Sequence, residues 1–503
     1  MRQAATHATN GTPTGPRDSL LLPALVATLW LTTLPLGSKR TWAVALLVFT
    51  VFALSLWAAW LWRRHVGLAL SRLHPVRWPL GLLLALALWT VLQASPLPEP
   101  WVLWLSPEAW AAQQGVVAQH SLSLDPQQTH TRAALTFALA LVFALVVLTL
   151  RDPRRLDAAA MGLVLIGVFQ AMVAVFLWSV QARYPFLYFD VSHSHAMGTF
   201  GNRNHLAGFL VVVLAMGIGL MVARLNSDRT GHARHWRGRL ASGLDFLLSD
   251  KMRLRLMLVV LVVALVLTRS RMGNAAFFVA LLCTGALTLL TARRASRSLV
   301  LLVTSLVVID LVIVGGWVGL EKVVERLQGT EWLIEQQGPE ESMEQRQLAA
   351  RYALDLVRDF ALTGTGAGSF YGSFIRYRPP GDHFFDHAHN DYVELASDWG
   401  AIGLGLLLLF VWLSVASNLR SLISRRSHMA RGMAFGSLMA MLALAVHSSV
   451  DFNLHIPANA LLIVVAIAMG WAAAQLPPGA DSSAQKLANC GKTSSKLVGR
   501  EST

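Results

Sequence analysis

Residues 387–403 read H-A-H-N-D-Y-V-E-L-A-S-D-W-G-A-I-G, and an apolar block from Leu404 to Leu413 follows at once. Histidines, an asparagine and acidic residues therefore stand at the edge of a block suited to the interior of a bilayer. Polar groups are costly in such a place unless they face water or a substrate. The junction predicts a membrane-spanning helix that begins near Gly400, with a polar rim in front of it.

The same alternation of polar and apolar stretches continues through the chain, which has 503 residues, of which 54% are hydrophobic and 14% charged. The apolar blocks are about twenty residues long, the length that crosses the hydrocarbon core as a helix. They do not alternate as the strands of a membrane barrel do. The sequence predicts an all-α polytopic membrane protein with about twelve transmembrane helices. We expect the spans near 20–37, 41–62, 78–95, 133–150, 157–180, 205–224, 255–268, 272–292, 298–320, 400–418, 430–446 and 459–476.

The basic residues predict the orientation of the chain. Its net charge is +14, and most lysines and arginines fall in segments that share one side of the membrane, such as 63–77, 224–255 and 420–431. Short cytoplasmic loops collect such residues, so the charge needs no nucleic acid to explain it. We expect both termini in the cytoplasm and, in a bacterium, the opposite loops in the periplasm. The cysteines, Cys283 and Cys490, lie outside the long polar loops and predict no disulfide framework.

Four segments follow from this pattern. We expect a cytoplasmic N-terminal segment (1–19), a first transmembrane bundle (20–190), a second membrane domain (191–476) with one large periplasmic loop (321–399), and a disordered cytoplasmic tail (477–503).

The long loop is expected to contain short helices. Leu348, Tyr352, Leu356 and Phe360 recur every four residues, which predicts one apolar stripe on a helix. The glycine-rich stretch T-G-T-G-A-G-S-F at 363–370 follows, and it is either a tight turn or a place where backbone amides meet an anion. Its spacing is not that of a dinucleotide-binding fingerprint.

The polar residues on the expected outer face suggest a base and a cluster of cations. His389 is the candidate base, because imidazole titrates near neutrality; the alternative is a structural histidine that bonds the loop. Arg203, Arg269 and Arg271 are candidate phosphate ligands, because a guanidinium pairs bidentately with phosphate oxygens; the alternative is an arginine that reaches the lipid headgroups. Further acidic residues are expected to be solvated or to cap a helix, namely Asp382, Asp386, Asp391 and Glu394. A secondary acid–base role is the alternative for Asp391 and Glu394.

Paired histidines raise the question of a metal. The H-S-H pair (His193 and His195) and the H-A-H pair (His387 and His389) have spacings that can hold a transition metal. Nothing in the sequence brings the pairs together, and we predict no metal and no other cofactor. Two polar residues fall inside predicted spans, Gln170 and Asp310. We expect Asp310 to face the bundle and to have its hydrogen bonds satisfied.

Three motifs resemble those of one family. His389-Asn390, nine further residues and Gly400-Ala401-Ile402-Gly403 resemble the signature of the O-antigen ligase and O-antigen polymerase superfamily. The S-R-M-G that starts at Ser270 resembles the beginning of its shared membrane domain, and G-T-F-G-N-R-N-H at 198–205 resembles its outer loop with a functional arginine. The resemblance covers roughly 190–475, so that 191–476 would be an O-antigen ligase-like membrane domain.

The resemblance implies a metal-independent, inverting glycosyltransferase in the bacterial inner membrane, with its active site on the periplasmic face. The donor would be a glycan on undecaprenyl diphosphate, and the acceptor a hydroxyl of lipid A core, of another lipid-linked repeat or of a protein. Arg203 and Arg271 would hold the diphosphate, and His389 would activate the acceptor hydroxyl or orient the reacting groups. Further substrate contacts are expected from Arg269, Asn390, His205 and His387.

Two other classes of function remain open at this stage. A transporter or flippase for a lipid-linked or anionic solute would have a similar number of spans, but it would place its functional polar groups near the middle of the membrane. A structural partner in a polysaccharide assembly would tolerate alanine at each of the predicted site residues.

Overall fold

The computed structural model describes residues 18–181, 195–225, 249–291, 343–380 and 385–477, and these are helical with no strand. Longer and shorter helices alternate along the chain. They are α1 (Leu21–Thr33), α2 (Thr41–Trp62), α3 (Val66–Leu73), α4 (Arg77–Ala94), α5 (Glu99–Leu105), α6 (Pro107–Gln113), α7 (Pro126–Thr149), α8 (Pro153–Ser179), α9 (Arg203–Leu225), α10 (Asp250–Leu267), α11 (Arg271–Thr291), α12 (Met343–Asp359), α13 (Phe370–Ser373), α14 (Asp391–Ser424), α15 (His428–His447) and α16 (Pro457–Ala474).

In the described part of the chain, 9 helices are long and apolar enough to cross a membrane. This confirms the polytopic helical class. The expected count of twelve stays a prediction: α1 has 13 residues, and the span expected at 298–320 lies outside the described residues. Helix α10 does occupy the place of the expected seventh span. It is not among the nine because its first six positions include four charged residues, Asp250, Lys251, Arg253 and Arg255.

Several helix starts follow from their first residues. Asp125 and Asp152 accept hydrogen bonds from backbone N–H groups at the beginning of α7 and α8, and a proline follows each of them. Asn390 caps α14 in the same way. A capping oxygen satisfies N–H groups that have no partner inside the helix, and proline at the first position gives up no hydrogen bond.

The bundle is built around three helices at its centre. In an apolar stretch of each helix, the buried share is 94% for α9, 89% for α16 and 78% for α15, against 22% for α2 and for α14. Close approach is possible because Gly219 of α9 faces Gly432 and Gly436 of α15, where a Cβ would overlap the neighbouring backbone. The peripheral helices expose large apolar side chains such as Trp412 to the surroundings, as expected for helices that face lipid.

A second, smaller hydrophobic core lies beside one end of the bundle. It joins α5 and α6 to α12 and α13, and its buried members include Val102, Leu356, Phe360 and Phe374. Tyr352 packs against this core, so three of the four residues of the predicted stripe, Tyr352, Leu356 and Phe360, are confirmed on the buried side of α12 or directly after it. The core forms a helical layer over that end, as expected of the part of the long loop that the structure describes.

Among the described residues, ion pairs lie at the two ends of the bundle. We call one end the basic pole: there Asp18 accepts hydrogen bonds from Arg151 and Arg155, both 2.7 Å, and Arg224 pairs with Asp157 at 2.6 Å. We call the other end the site pole. It contains Lys39, the beginning of α9, α11, α14 and α16, the segment 385–390, the segment 448–456 and the helical layer.

Helix α14 is broken at Gly400, whose φ of 62° and ψ of −172° suit glycine alone. The break frees backbone groups that the glycine-rich stretch uses: Thr365 N–H donates to Ser397 O (2.7 Å) and Gly366 N–H to Asp398 O (3.1 Å). Gly368 N–H donates to the Asp398 carboxylate at 2.7 Å. Of the two interpretations of T-G-T-G-A-G-S-F, the structure supports the tight turn, because these amides bind α14.

Candidate active site

The site pole gathers the positive ends of helix dipoles. Helices α9, α11, α14 and α16 all begin there, and each helix start carries a partial positive charge from N–H groups that lack a partner inside the helix. Arg203 is the first residue of α9 and Arg271 the first residue of α11. The fold therefore adds helix dipoles to the guanidinium charges that the sequence predicted for an anion.

A hydrogen bond holds the arginine-bearing segments side by side. Ser270, between Arg269 and Arg271, donates its hydroxyl proton to Asn204 Oδ1 at 2.8 Å, and Asn204 follows Arg203. Arg269 has a φ of +54°, an uncommon value for a residue with a Cβ, so the turn between α10 and α11 is sharp. The structure thus brings together the two segments that carry the three predicted arginines.

The ring of Phe452 collects three of the predicted histidines. His387 stacks on it with ring centroids 3.9 Å apart, and His205 and His389 meet it edge to face at 4.7 and 5.1 Å. Lys39 places its ammonium 5.2 Å from the same ring, within range of a cation–π contact. Because His205 follows Asn204, this cluster adjoins the segment that carries Arg203. Phe452 and Lys39 were not predicted as site residues.

His389 and Asn390 are held tightly at the start of α14. His389 is buried and has a φ of +48°, so the backbone turns sharply just before the helix. The side-chain Oδ1 of Asn390 accepts hydrogen bonds from Tyr392 N–H and Val393 N–H, and its side-chain Nδ2 donates to Ser449 O at 2.9 Å. The structure gives Asn390 this capping role; its predicted contact with substrate stays a prediction.

His387 is bound to a buried carboxylate. Its Nδ1 lies 2.7 Å from Glu394 Oε1, and the other Glu394 oxygen accepts a hydrogen bond from Ala388 N–H at 2.9 Å. The side chain of His387 is 13% exposed, whereas that of Glu394 is 2% exposed. The expectation that Glu394 is a solvated or capping residue is therefore wrong, because it faces the interior of the pole and two groups of 387–388 bind it.

Asp391, Glu394 and Asp398 surround one imidazole, that of His455. Its Nδ1 is 2.9 Å from Asp391 Oδ1, and its Nε2 is 3.4 Å from Glu394 and 3.7 Å from Asp398. Burial lowers the pKa of His455, but the neighbouring carboxylates outweigh burial and raise it to about 10. His455 is therefore an imidazolium at neutral pH. The expectation that Asp391 is a solvated or capping residue is also wrong, because its side chain is fully buried against His455.

The sequence contained a signal for this group. Asp391, Glu394 and Asp398 are separated by three and four positions, a spacing that places side chains on one side of a helix. Three carboxylates along one helix side are destabilising without a cation between them. That spacing could have prompted a search for a basic partner in 447–457, the outward hairpin in which His455 stands.

Asp451 joins the hairpin to two other elements. Its carboxylate lies 3.7 Å from His205 Nε2 and 3.8 Å from Arg346, which α12 contributes from the long loop. Burial raises the pKa of Asp451, but His205 and Arg346 outweigh it and hold that pKa well below its usual range. Nearer the surface, burial of Asp386 is likewise outweighed by Lys39, 3.3 Å away, and the pKa of Asp386 is lowered.

The predicted histidine pairs lie only partly within the described residues. His195 is buried, and His193 lies outside the described ranges. Among the described residues, no group of three or more histidine, cysteine or acidic side chains is arranged to hold a metal ion.

Gln170, one of the two polar residues predicted inside spans, has a structural role. Gln170 of α8 is fully buried, its amide donates to the Thr33 hydroxyl, and its carbonyl accepts from the Thr199 hydroxyl at 2.9 Å. The other such residue, Asp310, lies outside the described residues. In the described part of the chain, the clustered titratable side chains are therefore at the poles and away from the middle of the bundle.

Comparison with known proteins gives one family. The family model described as O-antigen ligase matches residues 256–409, while a search of curated proteins finds no matching relative. The matched range includes Arg269, Arg271, His387, His389 and Asn390, but ends before the hairpin with Phe452 and begins after Arg203. The family implies an enzyme that transfers glycans. The match supports the assignment of this polytopic membrane protein to the O-antigen ligase/polymerase superfamily.

Proposed function

We propose that the protein is a glycosyltransferase that uses a glycan on undecaprenyl diphosphate as donor and a hydroxyl as acceptor, in the synthesis of cell-surface polysaccharide. The observation that supports this most directly is the cluster of His205, His387 and His389 around Phe452, next to the joined segments that carry Arg203 and Arg271. A base and a group of fixed cations are what transfer from a lipid diphosphate requires.

The proposed roles divide the reaction between donor and acceptor. Arg203, Arg271 and, next to them, Arg269 bind the diphosphate and stabilise the charge that develops as the glycosidic bond to phosphate breaks. Fixed cations of this kind can replace the metal ion that many glycosyltransferases use. His389 activates the acceptor hydroxyl or orients the reacting groups, and attack opposite the departing diphosphate inverts the anomeric centre.

The site pole is proposed to face the periplasm. The basic pole carries the ion-paired arginines Arg151, Arg155 and Arg224, and basic segments prefer the cytoplasmic side. The donor is then used after it has been moved to the outer leaflet. A transporter is less well supported, because Gln170, a buried polar side chain inside α8, is hydrogen-bonded to Thr33 and Thr199.

His389→Ala and Arg271→Ala in the native host test this function. We expect both variants to lose the surface glycan on gels at normal protein levels, because each removes a group from the reacting centre. His130→Ala and Arg358→Ala are matched controls, since both side chains are exposed and bind only near neighbours, Pro126 O and Asp355. Normal glycan in both site variants would contradict the proposal.

Purified protein sharpens the test. A defined lipid diphosphate saccharide is incubated with the protein and with lipid, glycan or peptide acceptors, with and without a chelator. We expect transfer to one acceptor class, with inversion and no dependence on the chelator. Loss of transfer on chelation would contradict the metal-independent mechanism.

A further inference from the structure

The stretch H-A-H contains two imidazoles, those of His387 and His389, which differ in their contacts and in their exposure. His387 has Nδ1 2.7 Å from the Glu394 carboxylate and one face against Phe452, with 13% of its side chain exposed. His389 meets Phe452 edge to face, and both of its ring nitrogens are buried. His387 is thus the imidazole that is both tied to a carboxylate and still partly exposed.

Glu394 is fixed so that it can orient His387. One of its oxygens accepts the Ala388 N–H at 2.9 Å, and the oxygen that binds His387 also faces His455 Nε2 at 3.4 Å. A carboxylate held in this way accepts the Nδ1 proton of His387 and leaves the lone pair of Nε2 available. In the described part of the chain no hydrogen bond to that Nε2 is formed. General bases in enzymes are built in this manner, with one ring nitrogen on an acceptor and the other directed at the hydroxyl.

We propose that His387, oriented by Glu394 and Phe452, is the general base that takes the proton from the acceptor hydroxyl. This inference rests on the proposed function and names the proton acceptor within it. The acceptor O–H proton moves to His387 Nε2 while the acceptor oxygen bonds to the anomeric carbon. The bond from that carbon to the phosphate oxygen breaks, and its electron pair leaves with the lipid diphosphate. Glu394 stabilises the imidazolium that forms, and His389 orients the reacting groups.

The charge around His387 comes from every element packed against it. Helix α14 contributes Asp391, Glu394 and Asp398, and the hairpin contributes Asp451 and His455. Helix α9 contributes His205, and the turn after α1 contributes Lys39, which pairs with Asp386. His389 completes the set on the same segment. The nearest of these groups is the Glu394 carboxylate, 2.7 Å from Nδ1, which can stabilise the positive charge that proton transfer places on the ring.

The test uses the full chain in liposomes with a defined lipid diphosphate saccharide and its acceptor. His387→Ala and His387→Gln are expected to lower kcat by about 100-fold or more, the usual contribution of a general base. Added imidazole should restore part of the rate of His387→Ala, because a small base can enter the vacated position. Glu394→Gln should lower kcat and leave KM close to that of the parent protein, since only the imidazolium formed during proton transfer loses its partner. His130→Ala serves as the exposed control.

The outcomes separate this inference from the function it rests on. Normal kcat in the His387 variants with inactive His389→Ala overturns the inference and leaves the proposed function standing. Inactive His387 variants that imidazole does not restore, with an unchanged kcat in Glu394→Gln, give His387 a purely structural role and also overturn it. Normal transfer in His389→Ala and Arg271→Ala as well would overturn the proposed function itself.

Discussion

The two poles of the bundle hold their charges in different ways. At the basic pole, guanidinium groups of Arg151 and Arg155 share Asp18, and their side chains remain 18% and 22% exposed. At the site pole, Asp391, Glu394 and Asp398 share His455, and all four are nearly or fully buried. A guanidinium keeps its charge at any ordinary pH, whereas an imidazole can lose it. The charges at the basic pole are therefore permanent, whereas the site pole contains groups that can exchange protons.

The largest effect of a single substitution is expected at Phe452, in the site pole. Phe452→Ala removes the ring that contacts His205, His387 and His389, and we expect it to lower the free energy of unfolding by about 3–5 kcal/mol and to abolish transfer. Phe452→Leu refills most of the volume, so stability should largely return while transfer stays low. Phe277→Ala, in the fully buried core of α11, should cost similar stability and keep its transfer per folded molecule. Thermal unfolding in detergent and a transfer assay measure both quantities, and normal transfer by Phe452→Leu would refute the role of the ring.

The next largest effect is expected at the break in α14. In Gly400→Ala a methyl group would overlap Gly364 N and Leu362 O in a conformation that suits only glycine, so unfolding should become easier by about 1–3 kcal/mol or more. The half of α14 with Glu394 should shift, and transfer should fall. Gly405→Ala lies in the same helix with open space around it and should stabilise by about 0.5–1 kcal/mol. Equal stability of the two variants would show that the break is not required.

The charge on His455 predicts a pH dependence that the basic pole lacks. Its pKa is raised to about 10, so its contribution to stability is complete below the unfolded value of about 6.5 and is lost as pH rises through about 10. The midpoint of thermal unfolding should therefore fall over that range. His455→Gln should show a smaller fall than the parent protein. Identical pH curves for the two proteins would contradict a buried imidazolium at this position.

The smallest effect is expected at the basic pole itself. Asp18→Asn removes the charge that Arg151 and Arg155 share and should lower the free energy of unfolding by about 1–2 kcal/mol, with unchanged transfer per folded molecule. Asp250→Asn breaks a pair whose side chains are 63% and 77% exposed and should have no measurable effect. A loss of transfer in Asp18→Asn at normal protein level would mean that the two poles are coupled.

Much of the fold could be predicted because apolar block length reports directly on helices that cross a membrane. Helix α12 and its buried side followed from residues 348–360 in the same way. The break at Gly400 could not be predicted as such. A glycine inside an apolar run is common, and only the contact with Leu362 and Gly364 shows why this one is needed.

The candidate site was predicted in part. The sequence selected His205, His387 and His389 by residue type and position, and the structure brings all three to one ring. It did not select Phe452, because one phenylalanine among many carries no chemical signal. The burial of Asp391 and Glu394 was also missed. Asp391 binds Ser448 and His455, far along the chain, and Glu394 faces His455 in addition to its nearby partners His387 and Ala388.

The sequence by itself determined most of the helices that are long and apolar enough to cross a membrane, because hydrophobic length is a local property of the chain. It also determined which residue types could carry a proton or bind a phosphate. Only the tertiary structure decided which of them meet. The contacts of Asn204 with Ser270, of Asp391 with His455 and of three histidines with Phe452 join residues that lie well apart along the chain. Such pairings depend on how the helices pack, and packing is decided by the whole bundle at once.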